Sequence, residues 1–257
     1  MGVDQVLRVW IGVLIALGAA LTACSGPADA PDLRVAVAAN FLPAMAPLTA
    51  KFEADTGYDL QAVSGSTGAL YTQITQGAPF DVFLAADQVR PEKLEADGRA
   101  VQGSQVTYAL GQLVLWSRTE TTLNAQTLHQ ASIRNLAIAN PELAPYGRAA
   151  REVLMSEGVY EKLREKLVFG ENIGQTFALV QTGNAELGFV AKAQLALLSV
   201  AREESYWMPP TSSYTAIRQD AVLLTRAGDN PAAKAFMDFL TSEDARRIIA
   251  RVGFSLP

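Results

Sequence analysis

Short apolar runs of β-prone residues alternate with segments of helical periodicity from residue 33 onward. The first strand run, residues 33–39, is followed at residues 41–56 by apolar side chains that recur every three or four positions, which is the spacing of one helix face. Such alternation predicts βαβ units built around parallel sheets. A long apolar run at residues 106–116, interrupted by Gly111, is long enough to cross between two lobes. We therefore predict an α/β protein of two lobes with a ligand cleft between them.

The N-terminal segment has the features of a secretory signal. Residues 9–21 are almost entirely apolar, a length that suits a signal-peptide core and is short for a membrane-spanning helix. The stretch ends in Leu21-Thr22-Ala23-Cys24, which resembles the bacterial lipobox, whose cysteine becomes lipidated. We expect a lipoprotein signal peptide at residues 1–23, lipidation of Cys24 and a tether at residues 24–32. In the alternative, the segment is a plain signal peptide and Cys24 is incidental.

Composition narrows the class of partner. The chain has a formal net charge of −5 and no basic run, so nucleic acid is not an expected partner. Cys24 is the only cysteine, which excludes an intramolecular disulfide and a cysteine-cluster metal site. If the ligand is an anion, the net charge does not attract it, and the binding site itself must supply the attraction.

Four segments join the end of a predicted strand to the start of a predicted helix and consist largely of small or polar residues. They are Ala38-Ala39-Asn40, Gly65-Ser66-Thr67-Gly68, Pro145-Tyr146-Gly147 and Asn172-Ile173-Gly174-Gln175. Each segment alone is also explained by an ordinary helix cap or turn. Together they predict an anion site without a cation, because every helix N-terminus presents unpaired N–H groups and a partial positive charge.

A site of this kind selects its anion by protonation state. It offers hydrogen-bond donors and few acceptors, and donors in a dry cleft are strengthened by the low local dielectric. It therefore favours a dianion that has no proton at neutral pH over one that keeps a hydroxyl. This argument disfavours hydrogen phosphate and favours sulfate-like and molybdate-like ions.

At these segments the chain resembles the molybdate-binding proteins of bacterial ABC transporters. The resemblance extends from about Leu33 to the C-terminus, and its longest motif is Gly77-Ala78-Pro79-Phe80-Asp81-Val82-Phe83-Leu84-Ala85-Ala86-Asp87. Further matches are Val37-Ala38-Ala39-Asn40-Phe41, Gly65-Ser66-Thr67-Gly68-Ala69-Leu70-Tyr71, Asn140-Pro141 with Tyr146-Gly147, and Leu187-Gly188-Phe189-Val190-Ala191.

The resemblance implies a type II periplasmic binding protein fold, in which two crossing segments act as a hinge. The oxyanion contacts that it implies are Ala39, Asn40, Ser66, Thr67, Tyr146 and Ile173. It also implies an extracytoplasmic protein that captures molybdate or tungstate for an ABC permease. With the lipobox-like segment, we expect this protein to be a lipid-anchored monomer. Neither catalytic residues nor a cofactor is expected, because molybdate would be bound as an intact oxyanion by Asn40, Thr67, Tyr146 and Ile173.

The chain departs from one branch of this family and matches another. In one branch a tyrosine that reaches the oxyanion stands at the position of Ala191. The second branch instead has an asparagine and a tyrosine at the positions of Asn40 and Tyr146, as this chain does. Thr67 replaces the usual serine and keeps its hydroxyl donor.

The position of the lobes follows from the predicted crossing segments. We expect lobe 1 to comprise residues 33–111 and 225–257, and lobe 2 to comprise residues 112–224. Asn40 and Thr67 would then lie on the first lobe, and Tyr146 and Ile173 on the second. A ligand held by both lobes would close the cleft and present a new surface to a transporter.

Three alternatives remain open at this stage. A hydrolase would need a base beside Ser66, but the Gly-x-Ser-x-Gly pattern is absent and His129, the only histidine, lies in a predicted surface helix. An iron binder of the same fold would use clustered tyrosines and carboxylates, whereas Tyr146 has no tyrosine beside it. Sulfate is the third alternative, and tungstate is so similar to molybdate in size and charge that the sequence leaves both possible.

Overall fold

The computed structural model describes residues 30–119, 122–198 and 206–257. The expected signal peptide at residues 1–23, Cys24 and most of the expected tether lie outside the described residues. Within the described ranges, every helix is too short or too polar to cross a membrane.

Strands and helices alternate along the chain as the sequence pattern predicts. The strands are β1 Leu33–Ala38, β2 Leu60–Gly65, β3 Val82–Leu84, β4 Val106–Gly111, β5 Leu113–Trp116, β6 Leu136–Ala139, β7 Leu167–Gly170, β8 Leu187–Ala191, β9 Tyr206–Trp207 and β10 Ile217–Leu223. The α-helices are α1 Leu42–Thr56, α2 Thr67–Thr75, α3 Val89–Ala96, α4 Pro145–Ser156, α5 Tyr160–Leu163, α6 Ile173–Gln181, α7 Lys192–Leu195, α8 Pro231–Leu240 and α9 Glu243–Arg251.

The strands form two five-stranded sheets, one in each lobe, so the predicted α/β class and two-lobed architecture are confirmed. The first sheet has the order β2-β1-β3-β10-β4, and the second has the order β7-β6-β8-β5-β9. The pairs β1–β2, β1–β3, β6–β7 and β6–β8 are parallel, as βαβ units require. In contrast, β10 and β5 are antiparallel to their neighbours. The predicted βαβ units are therefore present, but each sheet is mixed, because the chain enters β5 and β10 from the other lobe.

Along the described strands, the chain crosses between the sheets twice. It first passes from β4 to β5 through Gln112, inside the long apolar run. The second crossing lies between Trp207 and Ile217, which is earlier than the expected boundary after residue 224. Because β10 is hydrogen-bonded to β3 and β4, residues 217–223 belong to the first lobe. Since β3 and β4 flank it, β10 lies inside the sheet. Its polar residues Gln219 and Asp220 are both buried.

Both faces of the first sheet are covered by apolar side chains from helices. One face packs against Phe41, Phe52 and Phe236, and the other packs against Phe80 and Leu94. The second sheet is enclosed in the same way by two further clusters. Since helices occupy the faces, the ends of the parallel strands are left to form the cleft, where ligands of open α/β sheets bind.

Candidate functional site: a neutral cavity between the lobes

The four strand-to-helix segments converge on one small cavity between the lobes. All six residues expected as oxyanion contacts line it: Ala39, Asn40, Ser66, Thr67, Tyr146 and Ile173. Its other lining residues are Ala38, Gly65, Ala86, Ala144, Pro145 and Asn172. The predicted convergence of the four segments is therefore confirmed, whereas the individual contacts to an oxyanion stay predictions.

Two hydroxyl groups of the first lobe lie at the start of α2. Ser66 is the N-cap residue, and its Oγ accepts a hydrogen bond from the Ala69 N–H at 3.3 Å. The Oγ1 of Thr67 accepts from the Ala86 N–H at 3.1 Å. Each oxygen thus already accepts from the backbone, which leaves its proton free to be donated into the cavity.

Asn40 is a further hydrogen-bond donor of the first lobe. β1 ends at Ala38, and a 3-10 turn at Ala39–Phe41 leads into α1. The two alanines allow a ligand to approach the backbone closely. Asn40 is buried, and its Nδ2 donates to the Oε1 of Gln219 at 2.8 Å. An amide nitrogen carries two N–H groups, so one remains for the cavity.

Tyr146 brings a hydroxyl from the second lobe. It follows Pro145, which occupies the first position of α4, where its missing N–H costs nothing. Burial raises the pKa of Tyr146 well above its usual range, and the amide groups of Asn40 and Gln219 oppose this only in part. The phenol therefore keeps its proton at physiological pH and acts as a donor.

The start of α6 provides backbone donors from the second lobe. The Oδ1 of Asn172 caps the helix by accepting from the Gln175 N–H at 3.0 Å. Ile173 occupies the first helical position, where the N–H group has no partner within the helix. Its carbonyl accepts from the Nε2 of buried Gln194 at 3.0 Å, and that glutamine also holds Ala191. The turn is thereby fixed in position.

None of the described residues that line the cavity carries a formal charge. Positive potential comes instead from the N-termini of α2, α4 and α6, each equivalent to roughly half a unit charge. Asp87, which follows the lining residue Ala86, is ion-paired with Arg90. The cavity is thus suited to a small anion held by uncharged donors.

The two lobes touch each other beside the cavity. The Gly68 N–H donates to the Leu143 carbonyl at 2.8 Å, and the Nη2 of Arg90 donates to the Glu142 carbonyl at 3.2 Å. Gly68 and Arg90 belong to the first lobe, and the two carbonyls belong to the second. These contacts hold the cleft shut over the cavity.

Sequence reasoning missed two polar residues that adjoin the site, Gln219 and Tyr108. Both are buried, and the Tyr108 hydroxyl donates to the Oε1 of Gln219 at 3.2 Å. The Nε2 of Gln219 lies 3.5 Å from the hydroxyl oxygen of Tyr146. Tyr146 therefore does not stand alone in space, contrary to the impression from the sequence. For Gln219, the available signal was its place among three consecutive polar residues, Arg218, Gln219 and Asp220, directly before an apolar run.

Neither a histidine base nor a metal-binding cluster is found at the cavity among the described residues. His129 is exposed at the end of a 3-10 turn and is not among the lining residues, so it gives Ser66 no base. Across the described ranges, no group of three or more histidine, cysteine, aspartate or glutamate residues could hold a metal ion.

Comparison with known proteins agrees with this geometry. Residues 33–255 match the family model of bacterial extracellular solute-binding proteins. The chain belongs to this family. It is 47% identical to the molybdate-binding protein ModA of Azotobacter vinelandii over 246 residues, which cover 95% of this chain and 97% of that protein. It is 45% identical to ModA of Rhodobacter capsulatus over 230 residues, which cover 89% of this chain and 90% of that one.

A solved structure gives the same result for the fold. The periplasmic molybdate-binding protein of Azotobacter vinelandii superposes with a TM-score of 0.83 at 39% identity, covering 88% of this chain and 99% of that one. The resemblance found in the sequence and the two-lobed periplasmic binding protein fold are both confirmed. A solute-binding protein has a non-enzymatic role, and its partners are a solute and a transporter.

Substitution of Gly68 tests the contact between the lobes. An added Cβ would lie 3.0 Å from the Leu143 carbonyl oxygen and 3.1 Å from the Nη2 of Arg90, and such overpacking costs about 1–3 kcal/mol. We expect Gly68→Ala to open the cleft and to increase the radius of gyration measured by small-angle X-ray scattering. Gln73→Ala, at an exposed position of the same helix, is the control. Identical scattering from Gly68→Ala and the parent would show that the contact at Gly68 does not hold the lobes together.

Proposed function

We propose that this solute-binding protein captures molybdate outside the cytoplasm and delivers it to an ABC permease. The observation that supports this most directly is the cavity, where donors from four strand-to-helix turns meet without any charged side chain among the described lining residues. The two relatives with 47% and 45% identity are both named molybdate-binding proteins, which favours molybdate over other oxyanions. We expect no cofactor apart from the ligand.

The proposed contacts divide between the lobes. Asn40 and Thr67 donate from the first lobe, with Ser66 and the backbone of Ala39 beside them. Tyr146 and the Ile173 N–H donate from the second lobe. A tetrahedral dianion presents acceptors in every direction, so it satisfies all of these donors at once and binds the lobes together.

Selectivity follows from charge and size. Hydrogen phosphate has a proton that requires an acceptor, and a donor-rich cavity leaves that proton unpaired, at a cost of about 1–3 kcal/mol. Tungstate has nearly the size and charge of molybdate, so we expect it to bind as well. Sulfate has the right charge but is smaller, and the fit of the closed cavity must reject it.

A thermal-shift panel of molybdate, tungstate, sulfate, phosphate and ferric iron tests the proposal. A ligand that binds only the folded protein raises its melting temperature by mass action. At about 100 times its Kd, we expect molybdate or tungstate to raise Tm by roughly 5–10 °C. Phosphate and iron should leave Tm unchanged. A larger shift with sulfate than with molybdate would assign the protein to sulfate instead, and no shift with any oxyanion would refute the function.

Alanine substitutions test the individual donors. Thr67→Ala and Asn40→Ala should each weaken molybdate binding by about 1–3 kcal/mol, because each removes a donor to a charged acceptor. Isothermal titration calorimetry gives the affinities, and Thr75→Ala, on the same helix as Thr67 but outside the cavity lining, is the control. Parent-like binding by both site variants would show that the contacts have been assigned to the wrong residues.

The membrane anchor is a separate part of the proposal. The lipobox-like Leu21-Thr22-Ala23-Cys24 supports lipidation of Cys24, with the binding domain held at the membrane as a monomer. Cys24→Ser should move the protein from the membrane fraction to the soluble extracytoplasmic fraction on cell fractionation, without a change in molybdate affinity. Continued retention of Cys24→Ser in the membrane fraction would argue against a lipid anchor.

A further inference from the structure

Gln219 is a fully buried polar residue that lies behind the cavity. It is 0% exposed in the middle of β10 and is not one of the residues that line the cavity. The pairing register between β10 and β4 shifts between Gln219 and Asp220. Local disruptions of the strand ladder, such as β-bulges, re-aim side chains and are frequent next to functional sites. The position and burial of Gln219 therefore call for an explanation beyond sheet formation.

The Gln219 amide connects donors from both lobes. Its Oε1 accepts from the Nδ2 of Asn40 at 2.8 Å and from the Tyr108 hydroxyl at 3.2 Å. Tyr108 also lies 3.1 Å from the carbonyl oxygen of Ala85, which can only accept, so its proton is directed toward these two oxygens. With Oε1 held by two donors of the first lobe, Nε2 faces the Tyr146 oxygen at 3.5 Å.

This arrangement determines what the Tyr146 hydroxyl offers to the cavity. A phenol has one proton and lone pairs that accept. The Gln219 Nε2 directs an N–H at the oxygen. With this protein donor on its accepting side, the hydroxyl directs its proton toward the cavity. Burial keeps that proton in place by raising the pKa of Tyr146.

Gly111 supplies independent evidence that this contact is built into the fold. A Cβ at this position would lie 2.3 Å from the Tyr146 hydroxyl oxygen and 2.8 Å from the Nε2 of Gln219. Any larger residue would therefore separate the two groups. Glycine at the end of β4 is what allows a phenol from the second lobe to reach an amide of the first.

We propose that Gln219 is a positioning residue that makes the cavity donor-only, by orienting Asn40 and Tyr146 so that both present protons to the ligand. The inference rests on the proposed function and deepens it. It assigns the rejection of proton-bearing oxyanions to a residue that does not line the cavity. Without Gln219, the Tyr146 hydroxyl is free to rotate and accept a proton, as hydrogen phosphate requires.

Gln219→Met tests this role, because methionine has a similar volume and lacks the amide. We expect molybdate affinity to fall about tenfold, the equivalent of one hydrogen bond to a charged group. The ratio of the affinity for molybdate to the affinity for hydrogen phosphate should also decrease. When Tyr146→Phe is already present, Gln219→Met should reduce molybdate affinity by a factor at least about three times smaller than in the parent. The reason is that the hydroxyl on which Gln219 acts is gone. Calorimetry gives each affinity.

Gln105→Met is the matched control. Gln105 donates to Asp220, the neighbour of Gln219 in β10, but makes no contact with Asn40 or Tyr146 among the described hydrogen bonds. It should bind molybdate like the parent. Melting temperatures without ligand show whether each variant is folded. Equal costs of Gln219→Met in the parent and Tyr146→Phe backgrounds, with unchanged selectivity, would reduce Gln219 to a packing role and overturn the proposal.

Tyr108→Phe provides a second test if Gln219→Met does not fold. Tyr108 does not line the cavity, and its hydrogen bond to Gln219 links it to Tyr146. We expect a smaller ratio of molybdate affinity to hydrogen phosphate affinity, because the Gln219 amide loses a donor that fixes its orientation. Unchanged selectivity in a folded Tyr108→Phe overturns the proposal. Failure of the parent to bind molybdate would instead refute the proposed function, so the two failures are distinguishable.

Discussion

The cavity between the lobes has no charged side chain among its described lining residues. Its polarity comes from unpaired N–H and O–H groups at helix starts, which the backbone fixes before a ligand arrives. Each must come from the end of a strand, where the chain turns into a helix. The two sheets and the crossing segments place four such turns around one cavity.

The supporting hydrogen bonds explain why these donors point inward. Backbone groups at Ala69 and Ala86 occupy the oxygens of Ser66 and Thr67, and side-chain amides hold the turns around Asn40 and Ile173. In each case a hydrogen bond within the protein fixes the polar group or its turn. An N–H or O–H group is then left to point into the cavity. Every buried side-chain nitrogen and oxygen atom of the described residues has a hydrogen-bond partner, and a satisfied network of this kind holds its members in one arrangement.

The sequence predicted the α/β class, the two lobes and the convergence of the four turns, because helix periodicity and strand-end caps are local signals. It did not predict the extent of β10. Gln219 and Asp220 resemble the polar start of a loop until the strands on both sides of β10 are known. For the same reason the lobe boundary was expected too late in the chain. Tyr108, inside an apolar run, gave no sign of its hydrogen bond to Gln219, since that contact joins residues 111 positions apart.

The place of β10 in the first sheet has a consequence for biosynthesis. It lies between β3 and β4, so that sheet has a gap until residues 217–223 have left the ribosome. The second sheet is built from one continuous stretch, residues 113–207, and all of its strands become available earlier. Synthesis from the N-terminus therefore favours an order in which the second lobe folds first. The first sheet is completed only when β10 becomes available to pair with β3 and β4.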